Sequence, residues 1–146
     1  MNQLEVRPIE DGDVEAVVDL WKKCNLTMPY NDPHKDIEFA RGGSASDVLV
    51  GVWDDRLVAS VMVGHDGHRG TVYYVSTDPG VRGLGLGRAI MDAAENWLKD
   101  RGVWKLNLLI RDTNLPVKAF YESIGYSDEP RAAMAKWLTE KPEGAK

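Results

Sequence analysis

The run TVYYVST at 71–77 leads past Pro79 into VRGLGLGRAI at 81–90, and that junction restricts the fold more than any other stretch. β-Branched and aromatic residues mark a strand. From Gly87 to Arg101 the apolar residues Ile90, Met91, Ala94, Trp97 and Leu98 then return at helical spacing. Between the two, Gly83, Gly85 and Gly87 place bare backbone at alternate positions, flanked by Arg82 and Arg88. A plain strand-to-helix turn needs one glycine, whereas several let a ligand approach the main chain closely and permit positive φ. The dinucleotide fingerprint G-x-G-x-x-G/A fails in both frames, because its last position falls on Arg88 or Ile90. The P-loop pattern fails too: Gly80 and Gly85 have its spacing, but Leu86 and Gly87 stand where Lys and a hydroxyl residue are required. What remains is a strand, a glycine-rich turn and a helix N-terminus, whose successive N–H groups and dipole suit a diphosphate.

Around this junction the chain reads as alternating short elements. Residues 4–8 form a strand closed by Pro8, and Asp11 or Asp13 opens a helix bearing Val14, Val17, Val18 and Trp21 on one face. Asp32-Pro33 caps and starts a second helix through Ile37 and Ala40. Residues 48–53 and 57–63 pair as a hairpin around DDR, and GHDGHRG turns the chain into the strand at 71–77. Gly102 stops the long helix, and WKLNLLI at 104–110 predicts a further strand. Asn114 caps a helix carrying Val117, Phe120, Tyr121 and Ile124, which Gly125 ends. A last strand is predicted at 132–138, before a charged, frayed tail at 140–146. This order predicts an α/β (α+β) fold, with a single mixed central sheet and helices on both faces, as one domain over 1–139.

Arg82-Gly83-Leu84-Gly85-Leu86-Gly87 matches the pattern R/Q-x-x-G-x-G/A, and IRDTNLPVKAFYESIGY at 110–126 is similar to a strand–Asn–helix–Tyr–Gly–aromatic segment. On these two motifs, in this order, the chain resembles the GCN5-related N-acetyltransferases (GNAT) from residue 4 to about 138. YNDPHKDI and GHDGHRG further resemble the bacterial YpeA-like members. The resemblance implies the acyl-CoA N-acyltransferase fold and acetyl-CoA as acyl donor; the chain has no metal-ligand motif, so no metal is expected. The resemblance also implies that the pyrophosphate lies on the backbone N–H groups of Arg82, Gly83, Leu84, Gly85, Leu86 and Gly87, with Arg88 adding charge. Val75 and Thr77 would pair with the pantetheine arm, and the N–H of one would polarise the thioester carbonyl. Asn114 matches the asparagine that contacts the pantetheine arm, and it serves equally as a helix N-cap. Tyr121 matches the tyrosine that protonates the departing thiolate, although a core aromatic would fit the same apolar helix. A phenol suits that step because it is still protonated at neutral pH. The family often dimerises, so a homodimer is an expectation.

The acceptor side departs from the pattern. Some protein-acetylating relatives carry a glutamate two residues ahead of an arginine; here that arginine is Arg111, and the position is Leu109. The base then lies elsewhere, or the amine arrives neutral. Candidates are His65, Asp66 and His68 in the turn and Tyr73 and Tyr74 in the strand. The segment from Trp21 to Asp36, with Met28, Tyr30 and Asp32, is expected to line the acceptor side, where carboxylates favour a cation and also serve as helix caps. A net charge of −5 disfavours nucleic acid and is compatible with a cationic amine. The single cysteine, Cys24, excludes an internal disulfide and a cysteine metal cluster. No H-E-x-x-H or G-x-S-x-G occurs. With no leader pattern and no apolar run approaching the ~20 residues of a membrane span, the expectation is a cytoplasmic protein. The function expected is transfer of the acetyl group of acetyl-CoA directly to a primary amine of a small molecule. The alternatives are acetylation of a protein or peptide N-terminus or lysine, and a non-catalytic acyl-CoA-binding regulatory module.

Overall fold

The β-branched runs pair as an antiparallel sheet in the order β1 (Glu5–Pro8), β2 (Ser46–Trp53), β3 (Arg56–His65), β4 (Gly70–Thr77). The computed structural model describes residues 3–145 and divides into two compact units, Met1–Leu108 and Leu109–Lys146. The tight β2–β3 turn holds Asp54 and Asp55 at φ 53° and 59°, the mirror-image turn geometry that suits the twist of a hairpin.

Register decides which face each helix covers. Val48 pairs with Met62 and Val50 with Ser60, and paired residues share a face. On that face Val48 and Val50 join Val17, Val18 and Trp21 of α1 (Val14–Lys23) and Ile37 and Ala40 of α2 (Pro33–Ala40) in one buried cluster. Leu49, Val61, Val63 and Val72 point to the other face. There α3 (Leu86–Lys99) packs through Ile90, Met91, Ala94, Trp97 and Leu98, all buried. Gly70 marks how closely that helix approaches: a Cβ at this position would lie 2.5 Å from Leu98 Cδ1. Helices thus cover both faces of the sheet, as the sequence predicts.

Two predicted strands do not form. In the run 104–110 a single residue, Leu106, makes a parallel bridge to Gly70, through Gly70 N–H to Lys105 O (2.8 Å) and Asn107 N–H to Gly70 O (2.9 Å). Trp104 and Leu109 are exposed while Leu106, Leu108 and Ile110 are half-buried, and the mixed character of the sheet reduces to that bridge. The second unit contains α4 (Leu115–Ser123) and no strand among its described residues. Its predicted strand at 132–138 leaves Met134 and Leu138 exposed.

Candidate active site

The turn after β4 is braced before the glycines begin. Asp78, 5% exposed, accepts the Gly80 N–H at 2.8 Å and lies 3.5 Å from Lys23 Nζ and 3.6 Å from an Arg56 guanidinium nitrogen. The Gly80 N–H, then the two cations, hold its carboxyl below the usual carboxylate range against the opposing effect of burial. Gly83 and Gly85 follow at φ 78° and 65°, the left-handed region that costs other residues most. Gly85 is the N-cap of α3, so no side chain closes the helix, and its first turn contains no acidic residue. By contrast, Asp32 Oδ1 caps α2 by accepting from His34 and Lys35 N–H, and Asn114 Oδ1 caps α4 by accepting from Val117 N–H. The first turn of α3, Leu86-Gly87-Arg88, therefore presents N–H groups that no i−4 carbonyl or capping side chain satisfies. Arg82 and Arg88 are exposed beside it. Such an arrangement suits an anion.

A bulge in β4 organises what lies next to that loop. Met62 pairs with Tyr73 and Ser60 with Ser76, so β4 spends one residue more than β3 between these pairs. Tyr74 is the extra residue, at φ 53°, a conformation that costs a tyrosine about 1–3 kcal/mol. The offset turns two consecutive side chains, Tyr73 and Tyr74, to the face of α1 and α2. The Tyr74 ring stacks on Trp21, centroids 3.8 Å apart and planes 4° from parallel. Its hydroxyl donates to Asp36 Oδ2 at 2.8 Å. Burial first, then the Asp36 carboxylate, push the phenol above its ordinary range, so it stays a neutral donor. Behind the bulge a buried chain ties α1 to both strands. Trp21 Nε1 donates to Ser60 Oγ (2.8 Å), and Ser60 Oγ shares a hydrogen bond with Ser76 Oγ (2.9 Å).

Tyr73 and Tyr74 form one wall of a cavity of about 460 Å³, completed by Leu26, Asn31, Asp36, Phe39, Ala40 and Met62. Downstream of the bulge the Asp78 N–H donates to Val58 O at 2.8 Å, so the polar groups of Ser76 and Asp78 face β3. The alternation of an antiparallel strand then turns those of Val75 and Thr77 outward. The Thr77 carbonyl accepts from Cys24 Sγ at 3.2 Å, and burial pushes that thiol upward, away from reactivity.

Several residues expected on the acceptor side lie elsewhere. Trp21, at 0% exposure, supports Tyr74 from behind. Asp66 and His68, with His65, are not among the residues that line the cavity. They occupy the β3–β4 hairpin tip, five positions along β3 from Ser60, roughly 17 Å at strand rise. There they serve the hairpin itself. Asp66 Oδ1 accepts from His68 and Arg69 N–H, whose hydrogen bonds, Arg69's first, hold its carboxyl low, and His65 Nδ1 accepts from Gly67 N–H. Asp32 is occupied in capping α2, and Tyr30 is half-buried. Of the base candidates only Tyr73 and Tyr74 line the cavity, and Tyr74 is committed to Asp36. Within the second unit Tyr121 is buried, edge-on to Phe120 and Tyr126, and burial pushes its phenol up. Asp36 belongs to the segment expected on the acceptor side, whereas nothing in the sequence singles out Asp78. A carboxylate after a strand has no distinguishing spacing. No group of three or more His, Cys, Asp or Glu that could hold a metal occurs among the described residues.

A family model described as the acetyltransferase (GNAT) family matches residues 14–126. An acetyltransferase of Pectobacterium atrosepticum is 37% identical over 140 residues, which span 96% of this chain and 99% of the relative. An acetyltransferase of Yersinia enterocolitica is 37% identical over 135 residues, 92% of this chain and 96% of the relative. Among solved structures, an aminoglycoside N-acetyltransferase in complex with CoA superposes with a TM-score of 0.82 at 13% identity, over 95% and 97% of the two chains. Glucosamine-6-phosphate N-acetyltransferase from Arabidopsis thaliana superposes at 0.73 and 21%, over 94% and 99%. The latter two likenesses show the fold. The chain belongs to the GNAT family of acetyltransferases. No helix among the described residues is long and apolar enough to cross a membrane.

Proposed function

We propose that the protein transfers the acetyl group of acetyl-CoA directly to the primary amine of a small molecule. The uncapped first turn of α3 carries this reading: glycines at positive φ lead into unsatisfied N–H groups that fit a diphosphate, with Arg82 and Arg88 beside them. Bound acetyl-CoA would supply an acyl group already activated as a thioester. In that complex Leu86, Gly87 and Arg88 hold the diphosphate through the main chain, and the resemblance to the family's asparagine assigns Asn114 to the pantetheine arm. Val75 and Thr77 offer outward polar groups to the arm, and the N–H of one donates to the thioester oxygen as charge develops there. The neutral amine, its ammonium proton given up to water, forms its bond to the acyl carbon as the carbon–sulfur bond breaks, and the proton its nitrogen then sheds passes through water to restore the Tyr121 phenol. Tyr121 gives its phenolic proton to the departing thiolate, and its raised pKa keeps that proton available at neutral pH. The bulged strand and its cavity supply the acceptor side, and the cavity's size suits a small molecule.

The test is thiol release from acetyl-CoA over a panel of small amines, with intact-mass measurement of partner proteins alongside. Turnover with a small amine is the expected result. Acetyl-CoA binding without release would leave a non-catalytic module, and acetylated partner proteins without small-molecule turnover would favour the protein acetyltransferase alternative.

A further inference from the structure

The charges around the cavity are few and one-sided. Among the described residues Asp36 is the only acidic one lining it, and no Lys, Arg or His does. Asp36 makes no ion pair among the described residues, and Tyr74 takes one of its oxygens. The rest of the wall is aromatic or aliphatic apart from Asn31: Tyr73 is 53% exposed toward solvent, Met62 and Leu26 are partly buried, and Phe39 stands at the rim, exposed.

Such a wall discriminates by chemistry. An ammonium gains from a carboxylate and from the electron-rich face of a tyrosine together. A phosphate or carboxylate on the same ligand would enter a cavity with no cation to meet it and would repel Asp36. A polycation would bring several ammonium groups to one carboxylate. Methionine beside aromatic rings accommodates apolar bodies of varied shape. The Trp21–Tyr74 stack and the Tyr74–Asp36 hydrogen bond also fix the carboxylate before any ligand arrives, which reduces the ordering cost of binding.

We propose that the acceptor is a monocationic primary amine with an apolar or aromatic body and no acidic group, its ammonium held at Asp36 and its body against Tyr73 and Met62. The assignment rests on the acetyl-transfer reading above and names the substrate class of that site.

The test separates the two. Binding of 2-phenylethylamine, L-phenylalanine and glucosamine 6-phosphate is measured by calorimetry on the full chain saturated with CoA. Thiol release from acetyl-CoA is followed in parallel. L-Phenylalanine differs from 2-phenylethylamine only by a carboxylate, so the comparison isolates the charge. 2-Phenylethylamine should bind on the order of 30-fold more tightly than either other ligand, a difference typical of one unpaired buried charge. Asp36→Asn should weaken it by on the order of tenfold and leave CoA affinity unchanged. Tyr73→Ala, at an exposed position, should weaken it by about threefold. Equal affinity for L-phenylalanine or glucosamine 6-phosphate would overturn the assignment, as would absent 2-phenylethylamine binding or an Asp36→Asn protein of undiminished affinity. Selective binding without thiol release would instead overturn the acetyl-transfer reading and leave the cavity assignment standing.

Discussion

Asp78 is the residue through which the glycine loop is anchored, and replacing it tests that dependence. Asp78→Ala removes the acceptor for Gly80 N–H and the partner of Lys23 and Arg56. The charge-assisted hydrogen bond contributes about 1.5–3 kcal/mol. Lys23 and Arg56 are more than half exposed and recover hydration when released, so each pair adds only about 0–1 kcal/mol. The loss is therefore about 1.5–5 kcal/mol. For a chain of 146 residues, unfolding with an entropy near 0.3 kcal/mol per degree, this is a fall in Tm of about 5–16 °C. Asp78→Asn keeps an oxygen for Gly80 but no charge, and should lose about half as much. Thermal melts followed by circular dichroism measure both, and acetyl-CoA affinity should weaken in the same order as the loop loosens. The pH dependence has a definite sign. A carboxyl held below its ordinary value contributes stability above the unfolded pKa of about 4, and that contribution disappears as pH falls through the lower folded value. Wild type and Asp78→Asn should therefore differ at neutral pH and converge in acid, once the pH has fallen through the lowered folded value. A gap that persists unchanged into acid, or an Asp78→Ala protein within about 1 °C of wild type at neutral pH, would refute the bracing role.

Three further substitutions bear on the proposed mechanism and the fold. Tyr121→Phe should lower kcat by about 10²-fold or more while leaving acetyl-CoA binding intact, as loss of a general acid does; unchanged steady-state turnover would remove Tyr121 from the reaction. Gly85→Val forces a β-branched residue to φ 65°, at a cost of about 1–2 kcal/mol. A Cβ there meets no protein atom within 4 Å, so the variant should fold yet lose measurable acetyl-CoA binding in calorimetry. Gly70→Ala should destabilise by about 1–3 kcal/mol, because the new methyl group meets buried Leu98 and α3 must shift from β4; a denaturation midpoint equal to wild type would contradict that packing.

Periodicity made much of this legible in the sequence. Val17, Val18 and Trp21, and again Ile90, Met91, Ala94, Trp97 and Leu98, recur at helical spacing and are buried where that spacing puts them. Asp32-Pro33 and Asn114 behave as the caps their residue types suggest. The same method misplaced 104–110 and 132–138, because the pattern of an apolar run carries no information about the ladder a strand requires. Periodicity also gives no notice of a bulge: TVYYVST reads as an unbroken strand, and a single extra residue leaves no spacing to count. The cavity inherits that blindness. Its carboxylate, Asp36, meets Tyr74 across 38 positions of sequence, and Trp21 sits behind the ring only because the offset turns Tyr74 toward α1. The hairpin histidines drew notice for their chemistry alone, while the distance that separates them from Ser60 and Ser76 belongs to the register.

The extra residue at Tyr74 has a consequence for how such an enzyme can diverge. It breaks one strand into two reading frames: residues 72 and 73 keep the parity of the hairpin, while 75–77 keep that of the loop. Replacing Tyr73 or Met62 changes what the cavity accepts without rotating the peptide groups of Val75 and Thr77. Inserting or deleting one residue between them would exchange inward for outward along every position downstream. Under the proposed reading, acceptor choice can drift by substitution while donor handling is conserved by length. A change of substrate would then be written in side chains, and a loss of the reaction in the count of residues between Tyr73 and Asp78.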